Sequence, residues 1–222
     1  AAAGLWSSAG RLFVIPYIGK ETYAPIAHAG KLIHNNVAWA FMIGLALIVI
    51  FWIAHNLPDR TDLVWLAKGG GLFAKGVHPP AWKFNAGQKL VFWSVLLFGV
   101  SISVTGLSLL FPFDLPMFGV TFEKLNALGL PQLVGMDGLP EHLLPQEEMQ
   151  LAQLWHAIVG FGLIVIVLAH IYIGSVGMEG AFDAMGSGEV DVQWAKEHHS
   201  LWYAKKTGDD AHRPETPAKP VG

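Results

Sequence analysis

Three long apolar runs constrain the fold of this chain more than any other feature. They cover residues 37–54, 90–111 and 151–177, and none of them contains an Asp, Glu, Lys or Arg. A helix needs about 20 apolar residues to cross the hydrocarbon core of a bilayer. Within that core every backbone amide needs a hydrogen bond from inside the structure, which helices supply locally. The runs therefore predict an all-α transmembrane helical bundle with three clear spans.

The opening segment, residues 1–18, is also apolar but is interrupted by Arg11 and Pro16. We expect it to be the tail of an earlier span whose start is missing from a truncated chain; a re-entrant or interfacial piece is the alternative. It lacks the basic stretch and cleavage site of a signal peptide. We expect residues 1–178 to form the bundle, and residues 179–222 to form an interfacial helix followed by a disordered tail.

The composition narrows the possible chemistry. Only 14% of the residues are charged, against about 25% in an ordinary soluble domain. The chain has no cysteine, which excludes disulfides, iron–sulfur ligation by this chain, and thiolate or covalent haem attachment. Any redox metal must therefore depend on the ten histidines. A net charge of −3 gives no indication of nucleic-acid binding.

Basic residues are unevenly distributed between the connections. The 112–150 loop has one lysine, Lys124, and six acids: Asp114, Glu123, Asp137, Glu141, Glu147 and Glu148. The 56–89 loop and the C-terminal tail carry most of the others: Arg60, Lys68, Lys75, Lys83 and Lys89, then Lys196, Lys205, Lys206, Arg213 and Lys219. The positive-inside rule places these two segments in the cytoplasm and the 112–150 loop outside.

Two histidines, His156 and His170, lie in the last apolar run. Fourteen residues at about 100° each return a helix to within about 40° of the same face, and they rise roughly 21 Å. The pair therefore predicts two metal centres on one helical face, near opposite sides of the membrane. Metal-binding or ionisable side chains at such depth are costly and usually functional.

The predicted topology places His34 and His156 at the same outer depth. A b-type haem held by histidines on two facing helices fits this arrangement. His170 lies at inner depth, where no histidine within a span can partner it. His55 lies near the inner boundary, but its His-Asn-Leu-Pro context is more typical of a helix exit.

Glycines follow both histidines at the i+4 position, as Gly160 and Gly174. Positions i and i+4 share a helix face, so these glycines would let a flat macrocycle approach the backbone. Small residues also pack helices together in membranes, which is the alternative role. The other histidines are predicted to have no ligand role, although a metal site at His198 and His199 stays open; the remaining ones are His28, His78, His142 and His212.

Several stretches together resemble one known family. They are Asn-Ala-Gly-Gln-Lys at 85–89, His-Asn-Leu-Pro-Asp at 55–59, the segment 194–203 with its Trp-Ala-Lys-Glu-His-His and Trp-Tyr, and the spacing of His156 and His170. Over nearly the whole chain this combination looks like the cytochrome b (gamma) subunit of membrane-bound formate dehydrogenases.

The resemblance implies a four-span cytochrome with two haem b groups in the bacterial inner membrane. It would take electrons from an iron–sulfur (beta) subunit, itself joined to a molybdenum or tungsten catalytic (alpha) subunit, and pass them to quinone. By position, His34 and His156 would ligate the outer haem iron and His170 the inner one. In the family the second inner ligand lies early in the first span, and it has no counterpart in this sequence.

A quinone site is expected beside the inner haem. Asn85 and Gln88 lie at the cytoplasmic entrance of the second run, at the depth of His170, and an amide can hydrogen-bond a quinone carbonyl. Asn85 would also suit a helix N-cap, and Lys89 would suit either a haem propionate or a lipid phosphate. No catalytic residue for formate chemistry is expected in this chain.

Other functions fit the same pattern less completely. One is the cytochrome b subunit of a nickel–iron hydrogenase or a thiosulfate reductase. Another is a haem-free membrane anchor that only tethers a partner. A transporter or channel is disfavoured because the spans carry no buried charges and the chain shows no inverted repeat.

Overall fold

A computed structural model describes residues 10–71 and 77–208, and these ranges contain helices and turns but no strand. Nine α-helices follow one another in the described part of the chain: α1 Ile15–Trp52, α2 Arg60–Ala67, α3 Ala86–Leu110, α4 Met117–Ala127, α5 Leu130–Leu133, α6 Pro145–Tyr172, α7 Asp183–Gly186, α8 Val192–His198 and α9 Ser200–Thr207. Lys75, His212, Arg213, Lys219 and the expected tail from residue 209 lie outside the described residues.

Three helical segments are long and apolar enough to cross a membrane. They are Leu12–His55, Ala86–Leu110 and Pro145–Gly177, with 44, 25 and 33 residues. Most of their large apolar side chains are exposed, as expected for surfaces that face lipid rather than water. The prediction of an all-α transmembrane bundle with three clear spans is confirmed.

The first of these segments is broken near its start. Gly19 has φ 77° and ψ 160°, which is not helical and which glycine adopts without a side-chain clash. The helical piece before Gly19 is therefore distinct from the long helix after it. The expected earlier span would begin upstream of the described residues, so it stays a prediction.

Contacts group the chain into two compact units. The first combines the chain up to Leu47 with Leu96–Val165, and the second combines Ile48–Val95 with the chain from Ile166 onward. Each of the three long helices contributes a segment to each unit. The expected boundary at residue 178 stays a prediction.

Glycines allow close helix packing in the first unit. A Cβ at Gly99 of α3 would lie 3.0 Å from the Leu45 side chain of α1, and Gly162 of α6 leaves no room for a Cβ beside the Phe98 ring. Small residues at such crossings bring membrane helices together. This packing fixes α1 and α6 against α3 in the first unit.

A buried carboxylate ties the 112–150 loop to the start of α6. Glu148 accepts hydrogen bonds from the backbone amides of Phe118 and Gly119, at 2.9 and 2.6 Å. These amides lie in the first turn of α4, where a helix carries unpaired N–H groups and partial positive charge. Glu148 therefore has a structural role, and Glu141 and Glu147 of the same loop also accept hydrogen bonds, from the Asn126 side chain and the Leu144 backbone amide.

Candidate functional site

His34 and His156 meet in the first unit, one from α1 and one from α6. Their ring centroids lie 6.1 Å apart, and the ring planes make an angle of 84°. His156 is buried, whereas His34 is half-buried. The structure therefore brings together the two histidines that the topology placed at one depth.

The spacing of the two rings would allow His34 and His156 to hold one metal ion between them. An imidazole nitrogen lies about 1.1 Å from its ring centre and about 2 Å from a metal that it binds. Two imidazoles on opposite sides of one metal therefore have ring centres about 6.2 Å apart. No group of three or more potential ligands is present among residues 10–71 and 77–208. A haem suits such a two-histidine site because its macrocycle supplies the other four iron ligands.

Spacing alone does not identify a haem site. The rings of His78 and His198, both outside the spans, also lie 6.0 Å apart at 89°, but His78 is exposed and the His198 ring contacts the Trp194 ring at 4.9 Å. His34 and His156 differ from that pair because they lie within span-forming helices, where an imidazole without a role is costly.

Two residues of α3 complete the surroundings of His156. The Thr105 hydroxyl, on a residue with 0% exposure, lies 2.9 Å from His156 Nδ1. A Cβ on Gly106 would lie 3.3 Å from His156 Cε1, so this position has little space for a side chain. Sequence reasoning missed both residues, because a Thr-Gly pair in an apolar span carries no signal that separates it from ordinary helix packing.

His170 lies in the second unit and has an exposed side chain. In the described part of the chain it makes no hydrogen bond or ring contact with another residue, and no second histidine is placed against it. Gly160 is buried and Gly174 is half-buried. A Cβ on Gly174 would lie 3.3 Å from Met185 Cε, so this glycine also serves a packing contact.

Asn85 and Gln88 form a reciprocal cap at the start of α3. Asn85 Oδ1 accepts a hydrogen bond from the backbone N–H of Gln88, and Gln88 Oε1 accepts one from the backbone N–H of Asn85, both at 2.9 Å. This is the capping-box arrangement, so the N-cap role considered for Asn85 is present. Both side-chain oxygens are used, which leaves the two NH2 groups as the donors that a quinone carbonyl could meet.

Lys89 has a different partner from the two that the sequence suggested. Its Nζ lies 2.7 Å from Asp59 Oδ2 and 2.8 Å from Asp62 Oδ2, and its side chain is 6% exposed. The ammonium is therefore held by two carboxylates of the α2 cap. Lys89 lies about thirty residues after Asp59 and Asp62 in the sequence. Local sequence patterns therefore could not predict this contact.

The same cluster holds Asp59 in its charged form. Burial on its own raises the pKa of Asp59, but hydrogen bonds from Lys89 and Thr61 outweigh it and leave the pKa below its usual value. Trp93 Nε1 also donates to the Asn56 carbonyl at 2.9 Å. Parts of the motifs at 55–59 and 85–89 thus meet at one place in the second unit.

The third motif of the resemblance docks beside the 77–85 segment. His199 is buried, and its Nδ1 lies 2.8 Å from the Trp82 carbonyl, while the Leu201 amide donates to the Ala81 carbonyl at 3.1 Å. Burial lowers the pKa of His199. For His198, burial together with the nearby His199 and His78 lowers the pKa.

Comparison with known proteins decides the family. A family model described as prokaryotic cytochrome b561 matches residues 5–188, which is most of the chain. The chain belongs to this family. It is an integral membrane cytochrome b, and the cytochrome b family implies haem b as its cofactor.

The relatives of this cytochrome b carry the name that the resemblance predicted. The nitrate-inducible formate dehydrogenase cytochrome b556(Fdn) subunit of Escherichia coli K12 is 27% identical over 176 residues, covering 78% of this chain and 69% of the relative. The cytochrome b556(fdo) subunit of the same strain is 24% identical over 173 residues, with the same coverage. The Haemophilus influenzae formate dehydrogenase cytochrome b556 subunit is 30% identical over 169 residues, covering 75% of this chain and 59% of the relative. The predicted resemblance is confirmed.

Proposed function

We propose that this cytochrome b is the di-haem membrane subunit of a formate dehydrogenase complex. It would anchor the complex and pass electrons from an iron–sulfur subunit to membrane quinone. The observation that carries this proposal is the His34–His156 pair, whose ring centroids lie 6.1 Å apart, so that the two imidazoles would together hold one haem iron.

His34 and His156 would hold the outer haem, and His170 would be one ligand of the inner haem. When bound, a haem accepts and releases one electron at a time. The chain supplies ligation, orientation and an apolar surrounding that keeps water from the iron. Gly160 and Gly174 would leave space at the helix surface where each macrocycle approaches.

Quinone would bind in the second unit near His170. The NH2 groups of Asn85 and Gln88 would donate hydrogen bonds to a quinone carbonyl, since their oxygens are already engaged in the cap. Gln88 is exposed and Asn85 is buried at the helix start. The Gln88 NH2 would therefore contact the quinone at the protein surface, and the Asn85 NH2 would contact it further inside.

The partners follow from the relatives and from the charge of the loops. The acidic 112–150 loop would face the outside of the bacterial inner membrane and meet the iron–sulfur subunit there. That subunit would connect to a molybdenum- or tungsten-containing catalytic subunit. The basic 56–89 loop and the C-terminal segment would lie in the cytoplasm.

Replacing His156 tests the proposal directly. In the purified complex, we expect His156→Ala to remove one of the two proposed haems per chain and to abolish quinone reduction, because a residue that would hold that haem is lost. Formate oxidation with an artificial dye continues, since that reaction needs no cytochrome. Haem content from the reduced-minus-oxidised spectrum and the two activities are the measurements.

His142→Ala is the matched control, because His142 is exposed in the outer loop and should change neither haem content nor activity. Full haem content in His156→Ala would refute the ligand assignment. A wild-type complex without a b-type α-band would instead identify the chain as a haem-free anchor.

A further inference from the structure

The Thr105 hydroxyl has three oxygen or nitrogen neighbours but only one proton. Its Oγ1 lies 2.9 Å from the Ser101 carbonyl, 3.1 Å from the Ile102 carbonyl and 2.9 Å from His156 Nδ1. A carbonyl oxygen can only accept a hydrogen bond, whereas a neutral imidazole nitrogen can donate or accept. The position of the hydroxyl proton therefore decides which nitrogen of His156 carries a proton.

Only one arrangement satisfies all three contacts. If the hydroxyl donated to Nδ1, its oxygen would face two carbonyl oxygens with no hydrogen between them. If it donates to the carbonyls, its lone pair faces His156, and Nδ1 must carry the proton. A buried polar group without its hydrogen bond is destabilising, and Thr105 has 0% exposure, so the second arrangement is strongly favoured.

We infer that Thr105 is a positioning residue that fixes His156 as its Nδ1–H tautomer and keeps Nε2 free to bind the haem iron. This inference rests on the proposed role of His156 as an axial ligand. It adds a residue on a third helix, α3, to a site whose two histidines come from α1 and α6.

The contact also sets the electronic character of the ligand. An imidazole that donates its second N–H becomes a more basic ligand and is held in one orientation. A more basic ligand stabilises ferric over ferrous iron and so lowers the reduction potential. Gly106 supports the arrangement from the next position, where a side chain would crowd the ring.

A redox titration of the assembled complex tests this role. Thr105→Val keeps the shape of the side chain but removes the hydroxyl that accepts from Nδ1–H. The potential of the haem held by His156 rises, with up to a tenfold larger ratio of reduced to oxidised haem at a fixed potential, which is about 59 mV for one electron. That haem is identified as the titration wave missing from His156→Ala.

Two further variants make the test specific. Thr105→Ser retains the hydroxyl and restores the wild-type potential. Ser103→Ala removes a hydroxyl that donates to the Gly99 carbonyl on the same helix, and it leaves the potential unchanged. An unchanged potential in Thr105→Val, or an equal shift in Ser103→Ala, would overturn the inference.

If Thr105→Val loses its haem or fails to assemble, the potential of Thr105→Ser becomes the test of the hydroxyl's role. A wild-type potential in Thr105→Ser then supports the role of the hydroxyl, and a shifted potential or lost haem contradicts it. Failure of the proposed function has a separate signature, because His156→Ala would then keep its full haem content whatever Thr105 does.

Discussion

At the scale of single residues, positions 85–89 at the start of α3 combine a helix cap, an ion pair and the proposed quinone donors. Asn85 and Gln88 cap the helix through their oxygens, and Lys89 joins it to the carboxylates of the α2 cap. An exposed ion pair adds little stability, but loss of one partner from a buried pair leaves an uncompensated charge. Lys89 is therefore a structural link that keeps the amide donors of the same turn in place.

Asn85 can be tested for two roles that one side chain combines. Asn85→Asp keeps the side-chain oxygen that accepts from the backbone N–H of Gln88 but removes the NH2 donor. We expect quinone reduction to fall about tenfold, because one hydrogen bond to the quinone is lost, while thermal stability stays near wild type. Steady-state quinone reduction and thermal unfolding of the complex are the measurements.

Asn85→Ala is the companion variant because it removes both groups. It should lower quinone reduction similarly, and loss of the helix cap should also lower the free energy of unfolding by about 1 kcal/mol. Equal quinone reduction in Asn85→Asp and wild type would leave Asn85 as a cap alone. Haem spectra should remain unchanged in both variants.

At the scale of elements, the sequence predicted the membrane-spanning helices, because their long apolar runs determine them locally. The spans at 90–111 and 151–177 follow from apolar runs, and α3 and α6 realise them as Ala86–Leu110 and Pro145–Tyr172. The first helix begins well before the predicted residue 37, because residues 20–36 are polar enough to hide a helix that continues outside the apolar run. Apolar content identifies a span and gives little information on where its helix ends.

Contacts between distant elements could be anticipated only where depth in the membrane constrained them. The meeting of His34 and His156 followed from topology, since both lie at the outer ends of their runs. The contacts of Thr105 with His156 and of Lys89 with Asp59 depend on helix rotation and loop path. Neither quantity is encoded in composition or hydropathy, so those partners required the structure.

The docking of α8 and α9 on the 77–85 segment should depend on pH. Burial lowers the pKa of His199, so the unfolded segment binds a proton more readily than the docked one. Docking is therefore fully stable above about pH 6.5 and weakens as the pH falls from there toward the lowered pKa. Hydrogen exchange at the Leu201 amide, which donates to Ala81, should be faster at pH 5 than at pH 7.5 after correction for intrinsic exchange.

His199→Asn provides the control for this pH effect. Its amide can donate to the Trp82 carbonyl as Nδ1 does, but it does not titrate. The pH dependence of protection at Leu201 should then shrink to the part that His198 contributes. A pH dependence identical to wild type would show that His199 is not the titrating group.

At the scale of the whole molecule, the two compact units differ in the charge of their loops and in the candidate site residues that they contain. The histidine pair lies in the unit that includes the acidic 112–150 loop, whereas the amide donors and the Lys89 cluster lie in the unit that includes the basic 56–89 loop. The proposed function assigns electron entry to the first unit and quinone reduction to the second. Both the proposed direction of electron flow and the partner surface therefore depend on orientation in the membrane.

The absence of native cysteine makes that orientation directly measurable. Lys124→Cys places one thiol in the acidic loop, and Lys68→Cys places one in the basic loop; both lysines are exposed. In intact spheroplasts a membrane-impermeant maleimide should label Lys124→Cys and leave Lys68→Cys unlabelled, because in the proposed topology the 112–150 loop faces outward and the 56–89 loop faces the cytoplasm. In inverted vesicles the pattern should reverse, since the cytoplasmic loops are then accessible. Labelling of Lys68→Cys in spheroplasts would reverse the assigned topology, and with it the side of the membrane on which the proposed quinone site lies.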